Sequence, residues 1–311
     1  MEKTKKLLVL FASFFAALII FSTSIEKDKI IKTPITPPII RPFNFEDAQA
    51  DIKADNLKKH VYKLSSNEMQ GRMAGEQGNN IAAEYIKTFF KNNNLPVKVQ
   101  KFENSQNIIT WVKGSNSDEI VVIGAHYDHI GKNARYSKDR AQGIHPGADD
   151  NASGTSAVME LAKTCSKLKP KRTIVFILFS GEELGMHGSS YYVQHPLFPQ
   201  NAPDIRKHIF MINLDMIGYY NSQYQSLEQI SRYGLSGGAS DHMPFFRAGV
   251  PCVFINTGLH RNYHTVQDTA DKINYEGMEK ITKYALQIAW NKTNYGNTQK
   301  KYKTSLDLVL N

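Results

Sequence analysis

Only two of the 311 residues are cysteine, Cys165 and Cys252, too few for a disulfide framework or a thiolate zinc site. Cys165 shares a helical stripe with Val158, Leu161 and Ala162, and Cys252 sits inside the apolar Val250-Pro-Cys-Val-Phe-Ile255, so both read as core residues. The chain also lacks a long apolar run. Leu7 to Phe21, interrupted by Ser13, would extend roughly 22 Å as a helix, short of a hydrocarbon core of about 30 Å. Concentrated positive charge is missing too. The net charge is +9, but the lysines are spread out, with local clusters at Lys167 to Arg172 and Lys300 to Lys303; that argues against a nucleic-acid partner. There is no internal repeat.

What is present divides the chain into four. Lys3, Lys5 and Lys6 ahead of the apolar run match the charged and hydrophobic regions of an export signal. Residues 1–24 are therefore expected to be a signal peptide or an uncleaved membrane anchor, and the protein is expected to be exported: periplasmic, secreted or anchored facing outward. Residues 25–45 hold four prolines without periodicity and read as a linker. Residues 46–291 have the length and composition for one large core, and 292–311 read as a polar, loosely held tail.

Within the core region, Asp47 to Leu64 reads as a helix. A second helix follows, with Ala82, Tyr85, Ile86, Phe89 and Phe90 at i, i+3, i+4, i+7 and i+8. Two strands are expected near Val97 to Phe102 and Ile108 to Lys113, then a turn over Gly114 to Asp118. Ile120 to Ala125, Arg172 to Phe179, Ile209 to Leu214 and Pro251 to Ile255 are short, β-branched and apolar throughout, the pattern of strands buried on both faces. Helical patterns separate or follow them at Ser153 to Leu168, His187 to Val193, Asp241 to Ala248 and Tyr275 to Trp290. This alternation predicts an α/β fold with a mostly parallel central sheet flanked by helices on both faces. In such a sheet the ligand site lies beyond the carboxyl ends of the strands, where strand order reverses.

The stretch around which the chemistry gathers is His145-Pro-Gly-Ala-Asp149-Asp150-Asn151-Ala-Ser-Gly154, two carboxylates in a small-residue loop running into a helix. By itself it could be a helix cap. Its company decides otherwise: His126, Glu182, Glu183 and Asp215 each follow a strand-like run, and His264 comes later. Two imidazoles and three carboxylates form an N/O donor set suited to zinc, with cobalt or manganese as substitutes. That set exceeds the needs of one tetrahedral ion, whereas two ions sharing Asp150 and a water would use all five, leaving one of the adjacent glutamates as a base. Asp128, two residues past His126, is suited to accept that histidine's other ring N–H. No role follows from the sequence for His129, His145, His187, His242 or His260.

His126-Tyr-Asp128, Gly147-Ala-Asp-Asp150-Asn-Ala-Ser-Gly154, Ser180-Gly-Glu182-Glu183-Leu-Gly185, Asn213-Leu-Asp215-Met-Ile-Gly218 and Tyr263-His264-Thr-Val-Gln-Asp268 resemble, in order, the motifs of the co-catalytic di-zinc aminopeptidase family, which includes secreted bacterial leucyl aminopeptidases and aminopeptidase Y. The resemblance extends from about Gln70 to Ile281. It implies one zinc on His126 and Asp215, the other on Glu183 and His264, with Asp150 bridging; Glu182 as general base; Tyr263 as an oxyanion-stabilising hydroxyl; and a cis peptide at Asp150-Asn151. It implies peptides with a free amino terminus as substrates. The short segment between Gly218 and Asp241 predicts no large lid, and no room is expected for a protease-associated insert. Met243, Phe245, Phe246 and Ile255 are expected to form an apolar pocket wall.

Two alternatives compete. Ser240-Asp241-His242-Met-Pro-Phe-Phe-Arg-Ala-Gly-Val-Pro251 is similar to a stretch of glutaminyl cyclases, which share the fold and use a single zinc. A tethered, non-catalytic binding ectodomain is the other; a binding role would not need Glu182.

Overall fold

The computed structural model describes residues 42–133, 135–221, 223–233 and 239–295. The expected signal or anchor, most of the linker and the tail from residue 296 lie outside the described residues. Among those described, no helix is long and apolar enough to cross a membrane.

Among the described residues, seven strands form one sheet: β1 (Lys98–Phe102), β2 (Ser105–Val112), β3 (Asn116–His126), β4 (Arg172–Phe179), β5 (His208–Leu214), β6 (Ser231–Tyr233) and β7 (Cys252–Ile255), in the order β1-β2-β4-β3-β5-β7-β6. The four central strands are parallel, through β4–β3, β3–β5 and β5–β7. The outer strands pair antiparallel. A turn was expected over Gly114 to Asp118, but β3 already begins at Asn116, which pairs with Arg172 before a bulge resets the register at Ile120. The polar start of this strand is held by the ion pair from Arg172 Nε to Glu119 Oε2, 2.7 Å.

Every residue of β4 is buried, and the pleat divides the run between two layers. Ile174, Phe176 and Leu178 join one apolar cluster, while Val175, Ile177 and Phe179 join the other. The first layer is covered by α1 (Phe45–Asp51), α2 (Ala54–Leu64), α3 (Gln77–Asn92), α4 (Gly154–Cys165) and α7 (Tyr275–Asn294). The second is covered by α5 (His187–Gln194) and α6 (His242–Arg247), which contribute Tyr192 and Phe245. Both cysteines are free and buried.

Two helices depart from the sequence reading. The expected single helix from Asp47 to Leu64 is two, because Ile52 takes an extended conformation and buries its side chain completely. Asn44 starts the first through a reciprocal capping box with Asp47. The last helix runs on to Asn294, so the first residues of the expected tail belong to the fold: Thr293 is fully buried, and the Arg172 guanidinium donates to the carbonyls of Lys292 and Tyr295 at 3.1 Å each.

Candidate metal centre

The site lies where the fold rule puts it. β3 lies between β4 and β5, so the chain leaves β3 in one direction for β4 and crosses to the other side for β5. His126 is the last residue of β3, Glu182 and Glu183 follow β4, and Asp215 follows β5. Asp150 comes from the turn Ala148–Ser153 that precedes α4, and His264 from a loop between β7 and α7.

The turn is fully buried, and hydrogen bonds tie it to its surroundings. The carboxylate of Asp268 accepts the backbone N–H groups of Asp149 (3.0 Å) and Asp150 (3.0 Å). Asp149 accepts from the N–H of Gly218 at 2.6 Å and sits 3.1 Å from His260 Nε2, whose ring stacks on Tyr219. Asn151 donates to the Leu214 carbonyl at 3.0 Å and accepts from the N–H of Gly154 at 2.8 Å. Ser153 accepts from the N–H of Ile217 at 3.0 Å. The turn is thereby tied to the exit of β5, with the Asp150–Asn151 peptide cis.

Two donor groups result. His126, Asp150 and Asp215 form one; His129, Asp150, Glu183 and His264 form the other, and the ligand atoms within each lie within 4.8 Å of one another. Asp150 belongs to both. Its Oδ1 is 3.4 Å from His126 Nε2, and its Oδ2 is 3.0 Å from His264 Nε2. His126 Nε2 is also 3.3 Å from Asp215 Oδ1, while His264 Nε2 is 3.0 Å from Glu183 Oε2. The five residues expected as metal ligands are therefore gathered into one centre.

The donor set fits divalent cations. His264 Nε2 lies close to two carboxylate oxygens yet meets neither at a hydrogen-bonding angle, as donors facing a common point do. Charge says the same. Burial and the charge of Glu183 raise the Asp150 carboxyl above its ordinary value, and burial holds Glu182 well above its own. Burial alone would lower His264, but the adjacent carboxylates of Asp150 and Glu183 carry it up to about 10. His126 is likewise raised well above its ordinary value against burial, chiefly by Asp215. The carboxylates thus make this a pocket that favours positive charge.

Asp128 does not do what the sequence suggested. Its carboxylate is 3.6 Å from His126 Nδ1, too far for a hydrogen bond, and the ring nitrogen instead donates to the Asp128 main-chain oxygen at 3.2 Å. The carboxylate is turned to the next loop, where it accepts the N–H groups of Glu182 (3.2 Å) and Glu183 (3.3 Å). The ring is fixed by backbone, which leaves the carboxylate free to hold the glutamates. Tyr263 stacks on His264 with ring centroids 3.9 Å apart and carries Lys138 Nζ 4.4 Å from its own ring. Burial raises its phenol further above neutrality, so it remains a donor.

A cavity of about 260 Å³ opens on the centre, lined by His126, Asp150, Glu182, Asp215 and Tyr263 on its polar side. Met216, Phe254 and Leu259 supply the apolar side. The expected wall of Met243, Phe245, Phe246 and Ile255 is not there. Phe245 faces the second apolar layer and Ile255 the first, while Phe254, between them in the β7 alternation with Val253 and Ile255, is the one that reaches the cavity.

Three residues of the centre carried no assigned role from sequence. His129 follows Asp128 directly, past the end of the strand where alternation no longer reports direction. Asp241 is fully buried, its carboxyl pushed up to about 7 by burial, and its charge contributes to raising Glu182. Arg72 is a buried guanidinium that donates to the carbonyls of Tyr127 (2.8 Å), Leu64 (2.6 Å), Pro146 (2.7 Å) and Gly147 (2.9 Å), bracing the loops that carry His126 and Asp150.

With this geometry in place, comparison with known proteins is decisive on one point. The family model described as "Peptidase family M28" matches residues 107–237 and 224–289. The chain belongs to peptidase family M28. Among its relatives is "Aminopeptidase YwaD" of Bacillus subtilis, 30% identical over an alignment of 258 residues, which covers 72% of this chain and 53% of that one. The chain spans about half the length of the first curated relatives it matches. Solved structures with the same fold include the aminopeptidase from Aneurinibacillus sp. strain AM-1 (TM-score 0.65, 19% identity, 81% of this chain and 97% of that one). They also include the Bacteroides thetaiotaomicron glutaminyl cyclase (TM-score 0.65, 19% identity, 78% and 99%). The two likenesses are equally strong, and each shows the fold alone.

Proposed function

We propose that this M28 chain is a two-zinc exopeptidase that removes amino-terminal residues from peptides. The observation that carries the reading is the division of Asp150, one oxygen turned to His126 and the other to His264. A site for a single ion would have no use for both donor groups. His126 and Asp215 would hold one zinc, Glu183 and His264 the other, and Asp150 both. When bound, zinc supplies Lewis acidity, polarising a carbonyl and lowering the pKa of water.

The protein's own groups supply the rest. Glu182 lines the cavity and holds its proton more tightly than an ordinary carboxylate, as suits a group that must accept a proton from water and return it to the departing amine. Asp128 fixes the backbone from which Glu182 projects. The Tyr263 hydroxyl is a donor available to negative charge developing on the substrate oxygen. The carboxylates around the cavity suit a free α-amino group, and the cavity volume suits one residue more than a length of chain.

Incubating the full chain and zinc with a short peptide led by glutamine, followed by mass spectrometry, tests this. Loss of the whole first residue supports the exopeptidase, and loss of ammonia alone makes it a cyclase. The amino-acetylated peptide should survive; cleavage of that peptide, with none of its free form, overturns the assignment.

A further inference from the structure

We propose that His129 is a positioning residue, donating from Nδ1 to Glu183 so that the other glutamate oxygen is presented to the metal; the proposal rests on the two-zinc reading above. By proximity His129 could be counted a ligand. Donors at the corners of a tetrahedron with bonds of 2.0–2.1 Å stand about 3.3 Å apart, and His129 Nδ1 is 2.9 Å from Glu183 Oε1 and 3.8 Å from Asp150 Oδ2.

The other nitrogen of the ring decides between ligand and donor. If Nδ1 held a metal, the ring proton would have to sit on Nε2, which is buried and has no hydrogen-bond partner among the described residues. A histidine ligand almost always donates its second N–H to a carbonyl, carboxylate or water, as His126 does to the Asp128 carbonyl. Among the described residues, Nε2 of His129 meets no carbonyl or carboxylate. With the proton on Nδ1, that N–H meets Glu183 Oε1 at 2.9 Å, and only a lone pair is left unpaired in the interior, a smaller cost than an orphaned N–H. Glu183 is then held through Oε1, leaving Oε2 beside His264 Nε2 at 3.0 Å.

The ring has little freedom to do otherwise. Gly147 has φ +57°, and a Cβ there would lie 2.5 Å from His129 Cγ and 2.6 Å from Cδ2, so a glycine is what lets the imidazole fit. The His264 ring closes its other side, edge to face at 5.5 Å. The carbonyl of Gly147 is bound by Arg72, whose own carbonyl accepts the His129 N–H at 3.3 Å.

The test is calorimetric zinc titration of the zinc-free full chain, together with the number of imidazoles around zinc from X-ray absorption. The wild type should bind two ions and show two imidazoles in all. H129L should keep that number while one binding step weakens about 10–100-fold. H129N, whose amide N–H can occupy the place of Nδ1–H, should recover most of the loss. Three imidazoles in the wild type would make His129 a ligand and overturn the proposal; so would wild-type affinity in H129L. If H129L does not fold, the wild-type imidazole number and the affinity of H129N decide, a drop in H129N as large as that expected for H129L counting against the proposal. A wild type that binds one ion fails the two-zinc reading instead, and the imidazole number on that ion still tests His129.

Discussion

Strand β4 and the turn Ala148–Ser153 are equally buried, yet they are built from opposite materials. In β4 the apolar side chains alternate between two layers, and any residue of suitable size and branching would serve nearly as well. In the turn, Asp149, Asn151 and Ser153 each have a hydrogen-bond partner, and a substitution leaves that partner unsatisfied in the interior. The strand supplies stability and direction. The turn supplies a charge in a place where charge is costly, and it relies on the strand ends to keep it there.

The sharpest way to separate the two is to remove function without touching either. Glu182→Gln should retain both ions and the folded stability while kcat falls by about 10²–10⁴-fold; metal analysis beside kinetics checks this, and a near-normal rate would remove Glu182 from its role. Truncating the strand should do the reverse. Phe176→Ala is expected to cost about 3–5 kcal/mol in chemical denaturation, by the same amount with and without zinc, while turnover of the folded enzyme is unchanged. A loss of zinc affinity on this substitution would show that the two regions are not separable.

The smallest effect is in pH. His264 is raised to about 10 in the metal-free fold from an ordinary 6.5, and His126 is raised as well, so the folded state binds more protons than the unfolded one over this range. Their contribution to stability is complete below about 6.5 and is lost as pH rises toward 10. Metal-free protein should therefore be easier to unfold in urea at pH 10 than at pH 7. Zinc, taking the place of those protons, should remove the difference, and an equal pH dependence with zinc would argue against the imidazoles as its ligands.

How much of this could be read in advance follows the same division. β4 was legible to the residue, because a continuous β-branched and aromatic run of that length suits little besides a strand covered on both faces. The break at Ile52 was not, since only the packed interior shows where that side chain must go. His126, Asp150, Glu183, Asp215 and His264 could be listed from their positions after strands and in motifs. The direction in which the Asp128 carboxylate turns could not, nor could the wall of the cavity, where Phe254 takes the place expected of its neighbours.

The sequence by itself determined the layers, through periodicity, and the family, through motifs whose order along the chain is already one-dimensional information. Only the tertiary structure decided which oxygen of Asp150 faces which imidazole, and which nitrogen of His129 has a partner. Those choices depend on the meeting of loops from four separate places in the chain. Their hydrogen bonds are settled by fractions of an ångström that no local pattern records.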